Sequence, residues 1–261
     1  MNMRTVITAV LLAIGCVWTC IAPAEEPDKA GALSSAGEIL DSALARMPGE
    51  PMLITGRLKV QDRGHTILRS YNVEIMLHVE GDTLSGSYTL FDPKGASLER
   101  LKVVRRAGGK PAYEYAAGAP LMPAETPGIS SAIRDTGVTW ADLSMPFLWW
   151  RRGVMAGSES IRGQDCFVID IQPDSKDGVE ASVAVVRVWI AKKHRMLMQA
   201  EEYGAKAKMM RRLAVDSFGK INDEWMVKDI VVSGSTNLPA GYKSILTIKE
   251  IRSLGSAPAT P

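Results

Sequence analysis

The sequence predicts a mainly β protein, with antiparallel strands forming a sheet wide enough to curl or close, one N-terminal helix and one central apolar segment. Three observations carry that expectation. From Met52 to Ile251 apolar residues recur at every second position over most runs, the period of a strand with one buried face. Short clusters of Gly, Pro, Asn and Asp break these runs at strand-length intervals, the pattern of a meander. The alternation stops once, at Asp135-Thr-Gly-Val-Thr-Trp-Ala-Asp-Leu-Ser-Met-Pro-Phe-Leu-Trp-Trp150, which holds three of the 6 tryptophans. That stretch reads as an apolar helix or lid around which the strands wrap.

The first residues are set apart from the fold. Arg4 supplies a positive charge, Val6 to Val17 is apolar or small without a charge, and Ala22-Pro23-Ala24 is a small-x-small cleavage signal. This is the layout of a secretory signal peptide over residues 1–24, cleaved near Ala24. The apolar run is roughly a dozen residues, against about 20 for a membrane span. A lipoprotein signal is the rival reading, because Cys16 follows Gly15, although Ala13 stands where such signals usually carry Leu. Cleavage near Ala24 removes Cys16 and Cys20 and leaves Cys166 alone, which excludes an internal disulfide. Cys166 lies in the apolar run Asp165-Cys-Phe-Val-Ile-Asp170 and reads as a small buried hydrophobe.

Residues 25–35 read as a linker. A helix follows: Ile39, Leu40, Leu44 and Met47 share one face, Ser34 or Ser35 caps the start and Pro48-Gly49 stops it. Met52 to Val60 alternates, and Asp62-Arg63-Gly64 turns the chain. Tyr71, Val73, Ile75, Leu77 and Val79 form the next apolar row, then Leu84, Gly86, Tyr88 and Leu90, then Leu98, Leu101 and Val103 ahead of Arg105-Arg106. Ala116 to Gly128, with Pro120, Pro123 and Pro127, reads as a long loop of the kind that forms lids. After the central stretch, strands are expected from Gly157 to Arg162, Cys166 to Ile171, Val183 to Ile190, Arg195 to Tyr203, Met209 to Phe218, Trp225 to Val232 and Tyr242 to Ile251. Asp174 to Gly178 reads as an exposed loop, Asn222-Asp223 as a turn, and residues 255–261 as a disordered tail. The tally is about ten or eleven strands, and no break in composition divides residues 36–254, so one domain is expected.

The chemistry of the chain points away from catalysis. A net charge of +2 with 23% charged residues leaves no nucleic-acid footprint. His65, His78 and His194 have no metal-ligand spacing, and no nucleophile elbow, phosphate loop or dinucleotide fingerprint is present. Ser217-Phe-Gly-Lys220 matches Ser-x-x-Lys in letters but sits at a strand-to-turn junction rather than opening a helix. No catalytic, cofactor or metal site is therefore expected. Leu143, Met145, Phe147, Leu148, Trp149 and Trp150 are the candidate lipid-contacting residues, and Arg151 and Arg152 beside them suit a phospholipid headgroup. A sheltered acyl chain gains roughly 0.8 kcal/mol per methylene, so a chain of about 14 methylenes is worth on the order of 11 kcal/mol before ordering costs. Replacing Trp149 or Trp150 with Ala is expected to weaken lipid binding more than stability.

Four pieces in order, Asp142-Leu143-Ser144-x-x-Phe147-Leu148-x-Trp150, Gly163-Gln-Asp-Cys-Phe-Val-Ile169, Arg187-Val-Trp-Ile190 and Glu224-Trp225-Met226-Val227-Lys228, resemble the LolA-like outer-membrane lipoprotein-sorting family, in particular its longer bacterial members. The likeness runs from about Ala36 to Ile251. The resemblance implies an incomplete antiparallel β-barrel with helices closing its mouth, a monomer that holds lipid or lipoprotein acyl chains while crossing the periplasm, with an inner-membrane donor and an outer-membrane acceptor as partners. The short carriers of that family have an Arg-Pro pair in an early strand that helps latch the lid; the nearest counterpart here, Phe91-Asp92-Pro93, has no arginine. The other reading of the same sequence is a non-catalytic envelope sensor or interaction module that partners a membrane protein or transporter.

Overall fold

The first strand of the chain lies at the centre of the sheet, and the whole architecture follows from that placement. The computed structural model describes residues 35–255 apart from 48, 180, 222 and 223. The expected signal peptide, all but the last residue of the linker, the turn at Asn222-Asp223 and the tail beyond Gly255 lie outside the described residues. Strands β1 (Met52–Gln61), β2 (Ile67–Glu80), β3 (Thr83–Phe91), β4 (Ser97–Arg106), β5 (Ala112–Ala117) and β6 (Met122–Pro123) step outward from the centre in one direction. Strands β7 (Gly153–Ile161), β8 (Gln164–Ile171), β9 (Val183–Ala191), β10 (Leu197–Gly204), β11 (Met209–Ile221), β12 (Glu224–Ser233) and β13 (Lys243–Ser253) start at the far edge and step back until β13 pairs with β1. The result is one 13-stranded antiparallel sheet with β6 and β7 as its edges.

That sheet curls without closing. Strands β4 and β9 stand third and eleventh in the lateral order. At about 4.8 Å per strand a flat sheet would hold them about 38 Å apart. Yet Arg105 of β4 touches Asp177, in the 3-10 turn Ser175–Asp177 that leads into β9, at 2.7 Å. Only a sheet rolled into an open barrel permits that contact, as expected for so wide a twisted sheet.

The register explains the alternation read from sequence. Ile54 of β1 stands opposite both Ile75 and Ile251, Ile75 opposite Tyr88, Tyr88 opposite Leu101, and Leu101 opposite Tyr115. Residues directly opposite share a face, so this row is one layer of the barrel interior, and its first five members are buried. Leu58 opposite Leu246, and Val215 opposite Ile230, add a parallel layer on the other half.

The strand count exceeds the expected ten or eleven because two strands are short and poorly marked. Strand β5 lies between Pro111 and Gly118, and β6 falls inside the proline-rich loop, at Met122–Pro123. Proline is tolerated there because β6 is an edge and its missing N–H faces no neighbour. Strand β7 also begins at Gly153, earlier than the expected Gly157.

Helix α1 (Ala36–Leu44) forms as predicted, with Ser35 as its N-cap in a reciprocal capping box with Glu38. Ile39, Leu40 and Ala43 are buried and Met47 joins them. The helix packs on the edge strand β7 and on the turn before it. Gly153 makes that approach feasible: a Cβ there would sit 3.3 Å from the Ala36 Cβ, 3.3 Å from the Ile169 Cγ2 and 3.6 Å from the Leu40 Cδ1. Gly153→Leu is expected to push α1 off β7 and to cost about 1–3 kcal/mol by overpacking, measured as a fall in the urea midpoint at unchanged slope; an unchanged midpoint would mean that α1 has room to slide.

Candidate functional site

Residues 124–152 join the two edges of the sheet, so this segment has to cross the mouth of the barrel from β6 to β7. It is the roof of the interior. It carries a bridge between Ala132 and Thr139, the short helix α2 (Trp140–Ser144) and the 3-10 turn Pro146–Trp149. Thr139 caps α2 in a reciprocal box with Asp142: the Thr139 backbone N–H donates to the Asp142 carboxylate at 2.7 Å, and the Asp142 N–H donates to Thr139 Oγ1 at 3.2 Å. Met145 ends the helix in the left-handed region at φ +45°, and Pro146 prevents its continuation.

Polar pins fasten the roof to strands on both sides of the barrel. Asp135 accepts from the Tyr71 hydroxyl of β2 at 2.6 Å and pairs with Arg69 of the same strand. Arg134 pairs with Glu99 of β4 at 2.9 Å and donates to the Leu98 carbonyl. The Gly137 N–H donates to Ser244 Oγ of β13 at 2.8 Å. Arg211 of β11 pairs with Asp142 and donates to Thr139 Oγ1 at 3.1 Å and to the Gly137 carbonyl at 3.3 Å. Although it stands beside the exposed Arg212, Arg211 is largely covered, its side chain 12% exposed.

The far end of the roof is anchored by a buried polar cluster. Asp177 accepts from Arg105 on one oxygen and from the Trp150 indole N–H on the other. Arg105 also donates to the Tyr113 hydroxyl at 3.3 Å. Both ion partners are enclosed, with side chains 5% and 2% exposed. Burial pushes the Tyr113 phenol up to about 12, against the opposing pull of Arg105, and drives Tyr88 above the ordinary tyrosine range for the same reason. The loop from Asp174 to Gly178, expected to be exposed, thus sends one carboxylate inward. Likewise Glu99 and Arg105 share the inner face of β4 with Leu101 and Val103, while Leu98 lies on the other face. The apolar alternation of that strand is interrupted by two charges, Glu99 paired with the roof and Arg105 with the turn before β9.

The candidate lipid-contacting residues separate into two groups. Leu143 and Met145 line an apolar pocket beneath the roof, together with Val138, Ile75, Leu77, Leu213, Ile230, Val232 and Leu246; Asp142 contributes the one carboxylate. Its volume is about 30 Å³, room for about two or three water-sized groups. Phe147, Leu148 and Trp150 are buried instead outside that lining: the turn that carries Phe147 and Leu148 packs on α1, and Phe147 stands edge-on to Trp150 at 6.5 Å between centroids. Trp149 is half-buried, and its indole N–H is enclosed without an acceptor. The structure does not bring these four to the pocket wall, and Trp150→Ala acts first on the fold. Arg151 is exposed and paired with Asp41 of α1, and Arg152 is exposed.

Outside the roof, Cys166 and Ser217 are held in structural roles. Cys166 is buried and its thiol is pushed up to about 11 by that burial. The Ser217 hydroxyl donates to Asp229, which also accepts from Thr247 at 2.7 Å. Among the described residues no group of three or more His, Cys, Asp or Glu could hold a metal ion.

The fold of this chain is similar to that of solved structures. A DUF1329 family protein from Desulfovibrio piger superposes with a TM-score of 0.67 at 13% identity, covering 85% of this chain and 93% of that one. An outer membrane lipoprotein-sorting protein domain from Vibrio parahaemolyticus gives 0.68 at 17% identity, covering 85% and 93%. A LolA superfamily protein from Nitrosomonas europaea gives 0.60 at 16% identity, covering 86% and 96%. A family model described only as an uncharacterized protein matches residues 129–257, from the roof through β13. No curated protein sequence matches the chain. The fold is LolA-like, and the resemblance drawn from the sequence motifs holds at that level.

Proposed function

We propose that this protein is a periplasmic carrier of lipid or lipoprotein acyl chains, sheltering them beneath the roof during transfer toward the outer membrane. The observation that supports this most directly is the pocket itself: nine apolar side chains from the roof and from β2, β11, β12 and β13 converge on one unfilled point inside an unclosed barrel. At about 30 Å³ the pocket is the collapsed state of such a site, since it holds only a fraction of an acyl chain. Cargo enters when the roof lifts. Of the pins that hold the roof, the pair of Asp135 with Arg69 is exposed on both partners, and water can replace it at little cost. Burial of each methylene then returns roughly 0.8 kcal/mol. The carrier reading needs no catalytic group. Donor and acceptor membranes are its partners, and the exposed Arg152 stands ready for headgroup contact.

The test is mass spectrometry of organic extracts from protein purified from periplasm without detergent. Near-stoichiometric phospholipid or acylated peptide is the expected result. Protein that is free of lipid, and that fails to take lipid up afterwards, would overturn the reading. It would favour an envelope interaction module, for which the exposed edge strand β7, with Val154 68% accessible, is the surface to probe by crosslinking.

A further inference from the structure

The hairpin between β9 and β10 turns on Lys192-Lys193-His194-Arg195. Its loop is closed by two backbone bonds, from the Ala191 N–H to the Met196 carbonyl and from the Arg195 N–H to the Ala191 carbonyl, each 2.8 Å. Arg195 occupies the left-handed region at φ +56°, which glycine or asparagine adopts with less strain. Phe167 of β8 lies under the tip. The Lys192 ammonium stands 5.3 Å from its ring centroid and the Arg195 guanidinium 5.0 Å. Two like charges are therefore gathered on one aromatic ring, and the Arg195 Nη1 is enclosed there without an acceptor. Arg46, just past the end of α1, joins them. His194 is held below the ordinary histidine range by burial first and then by the charges of Lys193 and Arg46, so Arg46 stands close to the tip.

The fold supplies little to neutralise this charge. Among the described residues Arg46, Lys192 and Arg195 take part in no ion pair. Asp165, whose carbonyl accepts the Lys192 N–H at 2.7 Å, lies at the same end of the sheet, as does Glu159, but the Glu159 carboxylate accepts from the Trp189 indole at 2.9 Å. Lys192 and Lys193 are exposed. A hairpin tip is convex, so it does not enclose a small anion as a cavity does. Its aromatic ring lies beneath the cations, so it also lacks the apolar centre of a protein interface. Charge laid out in this way suits an extended anionic surface. We propose that the β9–β10 tip, together with Arg46, docks this protein on the anionic phospholipid headgroups of a membrane. The inference rests on the carrier reading for its choice of a membrane over an acidic protein, and it names the surface with which such a carrier meets donor and acceptor.

The experiment is sedimentation of the purified protein with vesicles of phosphatidylcholine alone and of phosphatidylcholine mixed with phosphatidylglycerol. At about fivefold for each basic side chain near the surface, the mixed vesicles are expected to bind about 100-fold more tightly. Raising the salt from about 0.1 M to about 0.5 M is expected to remove that preference. In Arg46→Gln/Lys192→Gln/Arg195→Asn, where asparagine tolerates the left-handed backbone, the two kinds of vesicle are expected to bind alike. Arg46→Gln/Lys192→Gln leaves Arg195 on Phe167 and is expected to lose about 20-fold, which keeps the test intact if the triple variant misfolds. Lys94→Gln/Lys110→Gln/Lys206→Gln removes the same charge from exposed positions in three other hairpins and is expected to bind as the native protein does. No preference for phosphatidylglycerol would overturn the proposal and leave the tip to an acidic protein. Equal loss in the charge-matched control would overturn it in favour of net charge, and abolition by inorganic phosphate at constant ionic strength in favour of a discrete anion site. Protein that docks through the tip yet neither carries nor takes up lipid would remove the carrier reading alone.

Discussion

Asp177→Ala is expected to lower folding stability by about 3–5 kcal/mol, the cost of leaving an enclosed cation without its counter-ion. Arg105 has no route to water in the folded state, with its side chain 5% exposed and its remaining partner the Tyr113 hydroxyl at 3.3 Å. The same substitution strips the Trp150 indole N–H of its acceptor. The effect also reaches beyond the local cluster, because β4 and β9 belong to opposite arms of the sheet and the pair is one of the ties that keep the arms curled together. Urea unfolding measures it. The double variant Arg105→Met/Asp177→Leu is the control: with both charges gone and apolar volume in their place, most of the stability should return. If Asp177→Ala alone unfolds at the native midpoint, the cluster is hydrated in solution and does not hold the arms together.

The consequences of this cluster were hidden from the sequence for a physical reason. Asp177 lies in Asp174-Ser-Lys-Asp-Gly178, and every local rule assigns such a run to solvent. Its burial depends on Arg105, 72 residues away, meeting it across a rolled sheet. Glu99 on the inner face of β4 is similar, since its partners Arg134 and Tyr115 come from the roof and the next strand. The strands themselves were legible wherever one face is uniformly apolar, as with Val73, Ile75 and Leu77 in β2. The roof was legible as a break in period rich in tryptophan. Which of its residues face the pocket was not: Leu143 and Met145 reach it, while Phe147 and Leu148 lie in the turn packed on α1 and Trp150 donates to Asp177. That division is set by the left-handed residue Met145, which redirects the chain between α2 and the following turn. Arg211 could have been suspected from one signal only, its place in a strand whose neighbour Leu213 faces inward on the same side.

A disulfide across the roof, Gly137→Cys/Ser244→Cys, is expected to slow lipid uptake at least about tenfold when oxidised and to restore it when reduced. The two positions are already in contact, since the Gly137 N–H donates to Ser244 Oγ at 2.8 Å. A Cβ on residue 137 would stand 3.3 Å from that oxygen, close to the reach of about 3 Å between a Cβ and the distal sulfur of a disulfide. The new side chain would also meet Leu238 and Ser235 at 3.1 Å, so the β12–β13 loop must yield by a few tenths of an ångström. Cys166 does not compete, because it is buried and its thiolate is disfavoured at neutral pH. The lock separates two explanations that binding constants alone do not. A pocket of 30 Å³ that fills by lifting its roof must lose access when residue 137 is tied to β13, whereas one that fills from the open seam between β6 and β7 must not. Uptake at equal rates in the oxidised and reduced forms would therefore leave the pocket in place and assign its entrance to the seam of the barrel rather than to its roof.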